Sequence, residues 1–318
     1  MDALYLILGF AGLLLGGDWL VRGAVSIARR FNVSPMVIGL TLVGFGTSMP
    51  ELVTSLQAAM IGSPGIALGN VVGSNIANIL LILGAAALVA PILVSRDAFQ
   101  RDGGMLALAT LLCLALVVSG SIGRLGGVLL LACLLAYLLA TLVIERRRST
   151  AASAVYDAEA DSLPTEPDNL ARASGLLFLG LLITIVAARL LVSGAVSIAT
   201  DLGVSETVIG LTIVAIGTSM PELVTSVIAA RKGQSDVAFG NVIGSNLFNI
   251  LGILGITSLV TPLSVPPIIA SQDIWVMVVA TVLLLWVAMT GWRITRREGG
   301  VLVAGYIAYL AFLLWTNT

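Results

Sequence analysis

Two glutamates in this sequence stand where carboxylates are expensive. Glu51 and Glu222 each lie near the middle of a long apolar run, inside the identical string GTSMPELVTS. An ionisable group at membrane depth costs several kcal/mol unless it is paired or faces water. No Lys or Arg falls in the runs that carry these motifs, so a metal or alkali cation is the most economical counter-charge. The neighbours suit that role. Pro50 and Pro221 lack an N–H and clash with the carbonyl four residues back. This frees the carbonyls of Gly46 and Gly217 and loosens those of Thr47 and Thr218. Broken backbone at this depth is tolerated where it lines a cavity. Thr47, Ser48 and Glu51 are related by i,i+4 and i,i+3 and share one helical face, as do Thr218, Ser219 and Glu222.

A second polar stripe follows each motif. Asn70, Ser74 and Asn78 are spaced by four, and Asn241, Ser245 and Asn249 repeat the spacing. Gly69, Gly73, Gly240 and Gly244 beside them permit close helix contact. One stripe alone reads as well as interhelical hydrogen bonding, and the glycines alone read as packing. Four stripes converging on two carboxylates favour an ion site. The donors are carboxylate, carbonyl, hydroxyl and amide oxygens, with no thiolate cluster and no imidazole. Calcium accepts about six to eight such oxygens in flexible geometry, whereas magnesium resists dehydration. Sodium takes the same oxygens. Two carboxylates can neutralise one Ca2+ or share several Na+ ions. Mutually exclusive occupancy of one site by two ions is the physical requirement for antiport.

The elements that must hold these residues are membrane helices. Of 318 residues, 58% are hydrophobic and 10% charged, against about 25% charged in soluble domains. There are no histidines, which excludes Ser-His and Cys-His catalysis, His-ligated zinc and histidine proton relays. No nucleophile–base pair accompanies the glutamates, so the chain reads as a non-enzyme without a cofactor. Cys113 and Cys133 lie in apolar runs and read as packing residues. The net charge of −1 gives no reason to expect nucleic acid, and no obligate protein partner is implied.

A spanning helix needs about 20 apolar residues. Ten runs qualify, at roughly 3–24, 34–60, 66–90, 103–119, 124–144, 171–198, 205–230, 236–261, 274–291 and 299–316. The opening MDALYLILGF has no basic flank and reads as a first span, not a cleaved signal peptide. The stretch from Thr41 to Gly84 recurs from Thr212 to Gly255 at an offset of 171 without a gap, and GAVSIA at 23–28 recurs at 194–199. Each half therefore holds five spans, residues 1–144 and 171–318, joined by an acidic linker at 145–170. Five is odd, so the second half enters the bilayer from the opposite face. The expected fold is an all-α polytopic membrane protein, with ten transmembrane helices as two inverted-topology repeats. Transporter sites form at the midplane between such halves. Duplication kept for packing would explain matching glycines and leucines but not matching glutamates.

Basic residues set the orientation. Thirteen Lys and Arg flank the odd-numbered connections, while Arg124 alone lies on the side shared by the termini. The positive-inside rule puts the linker in the cytoplasm and both termini outside the cell (inner) membrane. Arg22 and Arg189 fall within spans and are expected to snorkel.

The paired strings GTSMPELVTS with GNVVGSNIANILLILG, and GTSMPELVTS with GNVIGSNLFNILGILG, closely resemble the two α-repeats of the cation/calcium antiporters, specifically the sodium/calcium exchangers. The resemblance covers both repeats and the ten-span plan. It implies Ca2+ held by Glu51 and Glu222 with the carbonyls of Thr47 and Thr218. It implies flanking Na+ sites using Ser48, Ser74, Ser219, Ser245 and the carbonyls of Gly44 and Ala215, with Asn78 and Asn249 at the centre. It further implies that the first and sixth spans slide across the other eight. A proton/calcium antiporter would keep the glutamates but usually carries another motif around them. A potassium-dependent exchanger is a closer rival. A cation channel would need an axial open pathway, and an intramembrane hydrolase would need a nucleophile.

Overall fold

The computed structural model describes residues 2–30, 47–96, 99–147 and 169–317. The first part of the expected span 34–60 and most of the linker lie outside them. The helices are α1 (Asp2–Arg30), α2 (Met49–Met60), α3 (Pro64–Val89), α4 (Phe99–Val118), α5 (Arg124–Arg147), α6 (Leu170–Leu202), α7 (Glu206–Thr218), α8 (Met220–Arg231), α9 (Ser235–Val260), α10 (Ile269–Met289) and α11 (Arg296–Asn317). Among the described residues, eight helices are long and apolar enough to cross a membrane, and nine spans result if the bent pair α7–α8 counts as one. The protein is an all-helical membrane protein.

The helices begin and end where local chemistry dictates. Asn169 caps α6, its side chain accepting from the Ala171 N–H, and Ser205 caps α7 by accepting from Val208. Gly203 closes α6 in the left-handed conformation, at φ 64°. The expected breaks at Pro50 and Pro221 fall just before them. Ser48 and Ser219 leave the helical region (φ −88°, ψ 7° and φ −83°, ψ 9°), and each proline sits in the first turn of the next helix. The missing proline N–H is harmless there, which is why the chain re-enters helix at that point. The α7–α8 bend is 47°.

Elements recur at the 171-residue offset: α3 maps onto α9, α2 onto α8, and Gly62 and Gly120, both at positive φ, onto Gly233 and Gly291. One residue interrupts the register. Trp292, a non-glycine at φ 55°, follows Gly291 as an insertion relative to the first half. Its ring packs edge-on against Phe99 at 5.6 Å and lies under the Arg96 guanidinium at 4.8 Å. These contacts hold a backbone conformation that a bulky side chain otherwise avoids.

The halves interlock. Two-residue strands β1 (Ile92–Leu93), β2 (Ser121–Ile122), β3 (Leu263–Ser264) and β4 (Arg293–Ile294) pair across them, β1 antiparallel to β4 and β2 antiparallel to β3. Each half gives one strand to each ladder. Helices cross over too. A Cβ on Gly84 of α3 would lie 2.9 Å from the Gly299 carbonyl of α11, and a Cβ on Gly127 of α5 would lie 2.7 Å from the Gly255 carbonyl of α9. Without a hydrophobic drive between helices in lipid, such close backbone approach supplies the packing.

Helices α3 and α9 form the centre, each buried over 83% of its apolar window, against 28% for α1 and α11. Helices α1 and α6 pair along their length through small residues. Cβ atoms on Gly9, Gly12 and Gly16 would fall within 2.8 Å of Leu191, Ala187 and Thr184. Arg22 forms a local ion pair with Asp18, one turn earlier on α1, at 2.9 Å, in place of free snorkelling. Arg189 is exposed on α6.

Candidate ion site

The break before each proline turns the following glutamate into the core between α3 and α9. Glu51 and Glu222 are each 1% exposed, and Ser48 and Ser219 are each 2% exposed. The two halves then exchange hydrogen bonds. The Ser219 hydroxyl donates to Glu51 Oε1 at 2.9 Å, and the Ser48 hydroxyl donates to Glu222 Oε1 at 3.4 Å. The serine of each break thus serves the glutamate of the other half. Ser245 also donates to Glu222 Oε1, at 3.4 Å. The second oxygens, Oε2 of both glutamates, are buried with no hydrogen-bond partner among the described residues.

The asparagine stripes brace the turns that carry the glutamates. Asn70 Nδ2 donates to the Glu51 carbonyl at 3.2 Å and to the Ser55 hydroxyl at 2.9 Å. Asn241 does the same for the Glu222 carbonyl and Ser226, at 3.2 and 2.9 Å. Thr218 Oγ1 lies 3.0 Å from both Asn70 Oδ1 and the Val214 carbonyl, and its one hydrogen serves these acceptors in turn. Ser74 reaches the Ala215 carbonyl at 3.5 Å. The expected close approach at Gly69 and Gly73 is present: added Cβ atoms would lie 2.8 and 2.7 Å from the Thr207 and Leu211 carbonyls. Gly240 and Gly244 have no such neighbour among the described residues.

The expected site residues therefore gather in one buried region, with two qualifications. Thr47 is only half-buried. Gly44 lies outside the described residues. Asn78 and Asn249 sit where α3 and α9 widen into π-helical turns, Asn78–Leu83 and Phe248–Ile253. A π turn rotates the side chains that follow it and is frequent at functional positions.

Asn75 and Asn246 were not singled out by the sequence spacing. Asn246 Oδ1 accepts from Asn78 Nδ2 at 3.1 Å, which leaves Asn78 Oδ1 without a hydrogen-bond partner. Both Asn249 amide atoms are likewise unpartnered among the described residues. The signal for Asn75 and Asn246 was their recurrence as the Asn of GSN in both copies. They fall one residue off the Ser–Asn stripe, so a face-based reading passes over them.

Among the described residues no group of three or more His, Cys, Asp or Glu comes together. The chemistry is that of two carboxylates, each with one oxygen held by serine and one unpartnered, surrounded by neutral oxygens. Buried unpartnered carboxylate oxygens are costly, and a cation that accepts hard oxygen removes that cost.

The comparisons with known proteins agree with this chemistry. Residues 1–143 and 173–315 match the family described as sodium/calcium exchanger protein. The sodium/calcium exchanger MaX1 of Methanosarcina acetivorans is 36% identical, over 99% of this chain and 99% of its own length. The inner membrane protein YrbG of Escherichia coli is 36% identical over 98% of this chain and 96% of its own. Among solved structures, the sodium-calcium exchanger NCX_Mj soaked with 2.5 mM Na+ and 0.1 mM Ca2+ superimposes with a TM-score of 0.65 at 35% identity, covering 98% of this chain and 97% of that one. With both halves matched and the relatives covered end to end, the chain belongs to the sodium/calcium exchanger family of the cation/calcium antiporters.

Proposed function

We propose that this cation/calcium exchanger exchanges Na+ for Ca2+ across the membrane by alternating access, moves net charge, and does not require K+. The carrying observation is the cross-bonded carboxylate pair, with Oε2 of Glu51 and of Glu222 buried and unpartnered. On this reading Glu51 and Glu222 hold Ca2+ with the carbonyls of Thr47 and Thr218. Na+ ions use the same carboxylates with Ser48, Ser74, Ser219, Ser245 and the carbonyls of Gly44 and Ala215. Asn78 and Asn249 sit between. Because the carboxylates are shared, occupation by one ion excludes the other. Exchange of one Ca2+ for three Na+ moves one positive charge per cycle, worth about 2.3 kcal/mol per 100 mV.

The transmembrane plan is ten spans in two inverted halves. Strand pairing supports it. In that count β1 and β4 follow spans three and nine, and β2 and β3 follow spans four and eight, so each ladder joins loops on one face. The thirteen-to-one basic asymmetry favours outward termini and a cytoplasmic linker in the cell (inner) membrane. The small-residue seam between α1 and α6 suits two helices that move as one body against the rest.

The test is Ca2+ uptake into proteoliposomes preloaded with Na+, with K+, or with a pH gradient alone, at clamped voltage. Uptake driven by Na+ alone and steered by voltage is expected. Uptake that needs K+, or that a pH gradient alone drives, assigns the coupling ion otherwise. Flux at channel rates without a counter-ion overturns antiport.

A further inference from the structure

A second carboxylate lies away from the glutamates, and comparison of the halves exposes its peculiarity. Asp102 and Asp273 are 171 residues apart, near the starts of α4 and α10. Each accepts from a tyrosine, Tyr137 to Asp102 Oδ1 at 3.0 Å and Tyr309 to Asp273 Oδ1 at 2.9 Å. In the first half Arg101 neutralises the acid through two contacts, 2.6 and 2.8 Å. In the second half the position equivalent to Arg101 is Gln272.

The exchange of arginine for glutamine removes one positive charge while burial deepens. Asp273 is 0% exposed. Among the described residues Asp273 Oδ2 is buried without a hydrogen-bond partner, as are Gln272 Oε1 and the Tyr306 hydroxyl. Tyr306 is 2% exposed, one turn before Tyr309 on α11, with ring centroids 6.4 Å apart. Among the described residues, no basic side chain lies on the parts of α3, α4 and α11 nearest the turn of Asp273. Helix α3 carries no titratable residue. Past its first turn, α4 offers only the thiol of Cys113, and α11 offers Tyr306 and Tyr309. Arg296, Arg297 and Glu298 lie at the far end of α11, and Arg293 lies beyond the far end of α10.

We propose that Asp273 holds a bound proton, so that Asp273 and Tyr309 form a proton-binding site in the second half, separate from the glutamate pair. The step is addition of H+ from water to Asp273 Oδ2, giving a neutral carboxyl. That supplies the missing positive charge which Arg101 provides in the first half. Oδ1 keeps its bond from Tyr309, and Oδ2, which has no donor facing it among the described residues, no longer carries charge. Ionised, the same group would be a buried charge met only by neutral donors, an expensive arrangement.

Infrared difference spectroscopy of the protein in lipid tests this. At neutral pH the wild type minus Asp273→Asn difference is expected to contain the C=O stretch of a protonated carboxylic acid, with or without Na+. Gln272→Arg, which restores the first-half pairing, is expected to remove that band. Arg101→Gln is expected to add one from Asp102. Should Asp273→Asn not fold, wild type against Gln272→Arg gives the same reading. A difference spectrum without an acid band shows an ionised Asp273 and overturns the proposal. A band that appears only when Na+ is withdrawn assigns the site to Na+ and overturns it equally. None of these readings depends on which ion drives exchange.

Discussion

The hydroxyls of Thr110 and Thr281 meet at 3.4 Å, and the two residues are 171 apart, the interval that maps one half of the chain onto the other. Under the proposed inverted repeat, a two-fold that exchanges the halves would carry each threonine onto its partner and would pass between α4 and α10 at this contact. The same exchange swaps Ser219→Glu51 with Ser48→Glu222 and one strand ladder with the other. Each glutamate is thus held by the serine of the other half.

This contact can be trapped. Thr110→Cys combined with Thr281→Cys, in a background lacking Cys113 and Cys133, is expected to form a disulfide under mild oxidation. A protease site placed in the linker lets the result be read as two fragments that separate only after reduction. Fragments that separate without reductant would place α4 and α10 apart.

Glu51→Gln and Glu222→Gln are each expected to abolish measurable Ca2+ exchange in a folded protein. A charge-assisted contact contributes about 1.5–3 kcal/mol, so loss of one carboxylate weakens ion binding roughly ten- to a hundredfold or more. Calorimetry on the purified variants reads this directly. Wild-type Ca2+ affinity in either one would remove that glutamate from the site.

Most of the centre was legible because the repeat is an internal control. Glu51, Ser48, Asn70 and their equivalents were recognisable by their spacing and their recurrence. What spacing could not supply was which half each side chain serves. Serine and glutamate of one GTSMPELVTS share a face, yet the short contacts run to the other copy, because the break at Ser48 and Ser219 re-aims them. Asn246 was passed over for a similar reason. Its partner Asn78 lies in the other half, beyond the reach of any within-helix pattern. The strand ladders were invisible as well, since two-residue strands carry no periodicity.

Asn246 fixes which face of the Asn78 amide is presented. With Nδ2 tied to Asn246, Oδ1 is the atom left without a partner. Asn246→Ala is expected to cost about 1 kcal/mol in that arrangement and to lower apparent ion affinity by less than about tenfold, with thermal stability little changed. A lowered melting temperature at unchanged affinity would make Asn246 a packing residue only.

The orientation has its own test. A single cysteine introduced between residues 150 and 165, in a chain lacking Cys113 and Cys133, is expected to react with an impermeant maleimide only after the cytoplasmic side is exposed. Labelling in intact cells would reverse the topology or change the span count.

The last expectation concerns potassium and rests on Asn249. Asn78 and Asn249 occupy equivalent places in the two halves, 1% exposed or less, and both are amides. An amide supplies oxygen without charge, so the centre offers two formal negative charges from Glu51 and Glu222. Those two balance one Ca2+. A K+ bound beside Ca2+ would bring a third positive charge with nothing to offset it in a low-dielectric interior, where such a charge is costly. Ca2+ exchange is therefore expected to proceed at full rate with K+ absent from both sides. Asn249→Asp adds the missing charge, and the new carboxylate must then recruit a cation or a proton. Exchange by that variant is expected to become dependent on K+ or on pH at clamped voltage. If Asn249 only bonded helices together, Asn249→Asp would change stability and leave the ion dependence as it was. An absolute requirement for K+ in the unmutated protein would show that the charge count at the centre exceeds the two glutamates.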